Sequence, residues 1–171
     1  MAAVHLHPAD DAECDAGRAI AADLISPHVA TAATFRRVQA YTRCAVSVFV
    51  RDGEVAGVLG MVPITPAGLD AIQRHVFTQK DPPPEHLCAP GDPLACIYGW
   101  GFAARTRRAS AQVVLGAMSI RDAFPGIAVF TRAATPAGQR IICGKMGYMP
   151  YPDAPDDLLW NPVRSPKERA A

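Results

Sequence analysis

The stretch Leu94-Ala95-Cys96-Ile97-Tyr98-Gly99-Trp100-Gly101-Phe102-Ala103-Ala104-Arg105-Thr106-Arg107-Arg108-Ala109-Ser110-Ala111 changes character twice. Leu94 to Ala103 is apolar and rich in aromatics, as a buried strand requires. Ala104 to Arg108 is a short basic turn. From Ser110 to Ala123 the apolar residues Val113, Val114, Ala117 and Met118 recur at helical spacing. A strand that runs through a small, basic turn into a helix forms a binding place for phosphate. The first helical turn carries backbone N–H groups without partners and the positive end of the helix dipole. Small residues such as Ala109 and Ala111 let a diphosphate approach that backbone, and Arg105, Arg107 and Arg108 add charge-assisted donors.

Downstream, Ile127–Thr131 reads as a short buried strand. Thr135 is placed as a helix N-cap with Pro136 at the first helical position, and the helix runs to about Met146. Gly147 stands where a C-terminal glycine belongs. Upstream, Asp10–Ser26 and Val29–Arg43 read as helices. Ala45–Val50 and Val55–Val62 are β-branched runs separated by Arg51-Asp52-Gly53-Glu54. Asp-Gly between two such runs predicts a hairpin, because a tight primed turn needs positive φ. Pro66–Lys80 contains a further helix. Asp81–Pro93 holds five prolines without periodicity and reads as a loop, a lid or irregular surface. The alternation implies an α/β (α+β) chain with a mixed sheet.

The motif Thr106-Arg107-Arg108-Ala109-Ser110-Ala111 resembles the acyl-CoA diphosphate loop of the GNAT acyltransferases, Gln/Arg-x-x-Gly-x-Gly/Ala, with Ala111 the strict match. Thr106 replaces the basic residue and Ala109 the first glycine, and Arg105 stands one place early. The ending Lys145-Met146-Gly147-Tyr148 is similar to the family's Lys-x-Gly-Phe/Tyr. Element order agrees from about Asp10 to Tyr151, and motifs agree from about Leu94 to Tyr148.

The resemblance implies a mostly antiparallel central sheet with helices on both faces, in one domain over 1–150, followed by a tail over 151–171. It implies an acyl-CoA-dependent N-acyltransferase with acetyl-CoA as co-substrate and an amine-bearing small molecule or protein as acceptor. Phe102, Ala103, Arg105, Arg107, Arg108, Ala109, Ser110 and Ala111 would hold the CoA. A backbone N–H near Gly101 would polarise the acyl carbonyl, and the pantetheine arm would lie along the strand. The family's acid tyrosine falls on Cys143, with Tyr148 and Tyr151 nearby. The family's strand glutamate has no counterpart between Leu94 and Ala103, whose polar side chains are Cys96, Tyr98 and the Trp100 indole. Tyr98 and the loop residue His86 are therefore the candidates beside Cys143.

Other classes are disfavoured. A formal net charge of +1 argues against a nucleic-acid footprint. No apolar run approaches the roughly 20 residues of a membrane span. Met1–Pro8 has neither a basic nor a long apolar leader region, so no secretory signal is expected. The five cysteines, Cys14, Cys44, Cys88, Cys96 and Cys143, are scattered, so neither disulfides nor a metal site is expected. They read as reduced thiols of a cytoplasmic protein. The spacing of Gly99, Trp100, Gly101 and Phe102 predicts both aromatics on one face of the strand. Exposed sheet edges allow a homodimer. The alternatives are a non-catalytic module of this fold that binds acyl-CoA or a protein partner, and an unrelated nucleotide-binding α/β protein. The second lacks both the P-loop and the dinucleotide fingerprint.

Overall fold

A computed structural model describes residues 5–154 and 157–162. The elements in chain order are β1 (His7–Pro8), α1 (Asp11–Leu24), α2 (Ala32–Thr42), β2 (Val46–Arg51), β3 (Glu54–Ile64), α3 (Pro66–Gln73), a 3₁₀ turn (Pro84–His86), β4 (Cys96–Ala104), α4 (Arg107–Ala123), β5 (Ala128–Arg132), α5 (Pro136–Met146), β6 (Met149–Pro150) and β7 (Leu158–Asn161). The strands form one seven-stranded sheet in the order β1-β2-β3-β4-β5-β7-β6. Every pairing is antiparallel except β4 with β5.

Local chemistry explains where the elements begin and turn. Asp10 caps α1 through a capping box with Glu13. Thr31, Thr65, Thr106 and Thr135 cap α2, α3, α4 and α5, each accepting from the N–H three residues on. Asp52 and Gly53 both have positive φ (55° and 82°), the primed turn that the hairpin needs. Gly147 closes α5 in the left-handed conformation, at φ 73°. Helix α4 starts one turn earlier than its apolar spacing shows, because Thr106 caps it and polar Arg107 and Arg108 fill the exposed first turn.

The sheet separates two cores. One face packs Ile20, Phe35, Val38, Val58 and Tyr98 against α1 and α2. The other packs Leu59, Ile97, Val113 and Ile142 against α4 and α5. Each such burial is worth about 1.5–3 kcal/mol. Helices therefore cover both faces.

Two sequence expectations change. Trp100 and Phe102 do not share a face. Gly60 pairs with Gly101 while Met61 pairs with Gly99, so Trp100 is an extra residue in β4, and the bulge reverses the alternation beyond it. Trp100 joins the α1–α2 core, and Phe102 joins the α4–α5 core. The tail expected after residue 150 also contributes a strand: Leu158–Asn161 pairs with both β5 and β6. Residues 155–156 and 163–171 of that tail, with residues 1–4, lie outside the described residues. Among the described residues no helix is long and apolar enough to cross a membrane.

Candidate functional site

The site grows from the parallel pair. β4 and β5 pair from Cys96↔Ala128 to Gly99↔Thr131, and Thr131 Oγ1 donates to the Gly99 carbonyl at 2.8 Å. Beyond Gly99 the strands separate, so β4 from Trp100 to Ala104 has no strand on its β5 side. The bulge falls at this fork. Gly101 has φ +137°, a conformation that costs glycine little, and a Cβ there would stand 3.3 Å from Ile25 Cδ1.

A cavity opens on each side of the fork. The larger, about 370 Å³, lies toward α1 and α2. Its apolar walls include Ile25, Val29, Phe35 and Val58, and its polar groups include His28, Gln79, Lys80 and Asp157. The smaller, about 80 Å³, lies toward α4 and α5, with Phe102, Ala117, Ile142, Met146 and Tyr148 in its wall. Gly60, Trp100, Gly101, Arg132, Ala133 and Ala134 line both. Ile25 lines both as well, so glycine and alanine residues, Ile25 and Arg132 surround the passage, with Trp100 as its one aromatic side chain.

Side chains around the larger cavity are held in place. Trp100 stacks on Phe35, with ring centroids 4.8 Å apart and planes 15° apart, and its Nε1 donates to the Gln79 carbonyl. The Tyr98 hydroxyl donates to Gln79 Oε1 and accepts from Arg132 Nη1 at 2.7 Å. Tyr98 is buried and reaches the cavity through those two neighbours. On the other side, burial pushes the Tyr148 phenol up to about 12, against a weaker lowering by Arg121. It stays protonated across the working pH range.

At the end of β4, Thr106 Oγ1 accepts from the Ala109 N–H (3.2 Å), and the Thr106 carbonyl accepts from Ser110 N–H (2.8 Å). Arg107 and Arg108 are left as the first-turn residues whose N–H groups have no intrahelical acceptor. Both side chains are exposed. Ala109 is buried, its φ is not positive, and its methyl faces Gly57, so alanine meets no backbone strain where the motif has glycine. Ser110 and Ala111 are exposed on the same turn, Ala103 is buried in the α1–α2 core, and Phe102 lines the smaller cavity.

Several expected residues stand elsewhere. Arg105 pairs with Asp23 at 2.8 Å, which ties the turn to the end of α1. Cys143 packs against the α4–α5 core and lines neither cavity; the neighbouring Ile142 and Met146 line the smaller one. His86 packs its ring near Phe77, and its carbonyl accepts from Thr65. The loop that carries it folds back on Ile64, at the end where β4 and β5 are still paired. His28 and Asp157 line the larger cavity, and sequence reasoning missed both. His28 lies in the α1–α2 link and Asp157 beside a strand hidden in the tail, and neither segment has a motif.

No family model matches the chain, and no curated protein matches it. Solved structures do. Ard1 from Thermoplasma volcanium is 14% identical, with a TM-score of 0.59 over 94% of this chain and 97% of that one. A GNAT-like decarboxylase, GphF, in complex with isobutyryl-CoA is 15% identical, with a TM-score of 0.55 over 93% and 99%. A histone acetyltransferase HPA2 and related acetyltransferase structure from Corynebacterium glutamicum is 14% identical, with a TM-score of 0.56 over 94% and 97%. With the forked parallel pair, the bulge and helices on both faces, these likenesses establish that the chain has the GNAT fold.

Proposed function

We propose that this protein is an acyl-CoA-dependent N-acyltransferase that moves acetyl from acetyl-CoA to an amine by direct attack. The observation that carries the reading is the fork between β4 and β5, with a cavity on each side and Gly101 at the passage. A thioester at the passage is open to CoA from one face and to an acceptor from the other. One likeness, GphF, is described in complex with isobutyryl-CoA, which supports acyl-CoA as the ligand class.

The pantetheine arm adds to the open edge of β4 as a strand would. Its diphosphate sits on the Arg107 and Arg108 amides, with their guanidinium groups as further donors. A backbone N–H near Gly101 polarises the thioester carbonyl. The amine enters through the larger cavity, attacks the carbonyl carbon and forms the C–N bond. His28 and Asp157 are the cavity-wall groups placed to take the nitrogen's proton. As the C–S bond breaks, the electron pair goes to sulfur. The Tyr148 phenol donates a hydrogen bond to the developing thiolate, and the proton lost by nitrogen ends on sulfur.

Release of free CoA thiol from acetyl-CoA across an amine panel tests the reading. Tyr148→Phe is expected to lower kcat by on the order of 10²-fold with acetyl-CoA affinity retained. Equal kcat in the variant removes Tyr148 from the mechanism. A second reading, an acyl-CoA-binding module without turnover, is favoured by one observation: β4 carries no acidic or histidine side chain, and Cys143 and His86 stand away from the passage. Acetyl-CoA binding with no thiol released on any amine is the result that selects it.

A further inference from the structure

Trp100 is the largest side chain common to both cavities, and it is held from two directions. Its indole face rests on Phe35 and its N–H is bound to the Gln79 carbonyl. Its Cβ sits close against β3 where Gly60 leaves room for it: a Cβ on Gly60 would be 2.7 Å from Trp100 Cβ. Trp100 keeps the α1–α2 face of Cys96 and Tyr98, and the bulge turns Phe102 to the α4–α5 face, so the indole alone stands on the acceptor side of the passage.

We propose that Trp100 limits the acyl group to a short chain and keeps the larger cavity for the acceptor. This rests on the reading of the fork as the acyl-transfer site. With the pantetheine arm on the α4–α5 side, the 80 Å³ cavity has little room for more than the thioester end of the ligand. A longer chain has to run through the passage into the 370 Å³ cavity. The fixed indole narrows that route. A chain that did pass would occupy the space where the amine must bind, so exclusion also protects turnover. The apolar far side, Val29, Phe35 and Val58, would solvate an alkyl chain well once the indole is gone.

Calorimetric titration of acetyl-CoA and octanoyl-CoA into the wild type, Trp100→Ala and Trp100→Phe tests this. The wild type should bind acetyl-CoA at least about tenfold more tightly than octanoyl-CoA. Trp100→Ala should bring octanoyl-CoA up by about tenfold while acetyl-CoA stays within about threefold. Trp100→Phe keeps a ring on Phe35, so its fold is protected, and it should shift the ratio in the same direction by less. Wild type that binds octanoyl-CoA as tightly as acetyl-CoA overturns the inference. So does an unchanged ratio in both variants, with acetyl-CoA binding intact throughout. Failure of the wild type to bind either acyl-CoA overturns the transfer-site reading itself, and this inference with it.

Discussion

Tyr148 and Cys96 show how burial sets chemistry at single residues. Desolvation pushes the Tyr148 phenol from 10.0 to about 12 and the Cys96 thiol from 9.0 to about 12. Both groups are more easily ionised unfolded than folded. Their contribution to stability is fully present below about pH 9, falls as pH rises past the unfolded values, and is gone above about 12. Each tenfold difference in acidity between the folded and unfolded chain is worth about 1.4 kcal/mol, so ionisation of the two groups removes several kcal/mol. Urea midpoints measured from pH 8 to 11 should therefore fall steeply above about pH 9, and Tyr148→Phe should flatten the decline above pH 10. An identical slope in that variant would show that Tyr148 is not buried as described. Residue by residue, the sequence was most legible where one backbone conformation admits few side chains, as at Asp52-Gly53 and Gly147. It was least legible for Cys143. Its place in the motif marked it as an acid, while helix phase turns it away from the cavity that Ile142 and Met146 line.

At the scale of elements, the N-terminus of α4 carries the proposed diphosphate site and its stability device side by side. Thr106 takes the Ala109 N–H for itself and leaves the Arg107 and Arg108 amides without an intrahelical acceptor. Thr106→Ala should cost about 1 kcal/mol of stability, read as a lowered denaturation midpoint, with acetyl-CoA affinity changed by less than about threefold. A large loss of affinity at unchanged stability would mean that the hydroxyl belongs to the site rather than to the cap. The strand–turn–helix order around this point was readable from Leu94 to Ala123. The bulge within β4 was not. A period-two pattern carries no mark of an extra residue, and the register was fixed only by the pairing of Gly60 with Gly101 across the strand. Phe102 thereby moved to the α4–α5 face, away from Trp100, with which period-two spacing had grouped it.

The whole molecule explains the remaining gaps. β7 is the farthest strand along the described residues, yet it lies inside the sheet, between β5 and β6. Its Asn161 Nδ2 donates to the Met146 carbonyl, which also accepts from Arg121 Nη1. The strand thus fixes the C-terminus of α5, just before Tyr148. Such a role comes from pairing between segments distant in sequence, and a four-residue strand in a proline-rich tail gives no local sign of it. The larger cavity has the same origin: Phe35, Gln79, Trp100 and Asp157 meet only in the fold. The central claim is that the opening turn of α4 grips the CoA diphosphate while the thioester rests at the fork. Calorimetric titration of acetyl-CoA into the wild type and the Arg107→Ala/Arg108→Ala variant tests it most directly. The account predicts saturable binding by the wild type that weakens with salt, and a loss of about tenfold or more in the variant. Equal affinity in the two proteins, or no binding by the wild type at millimolar acetyl-CoA, would contradict it.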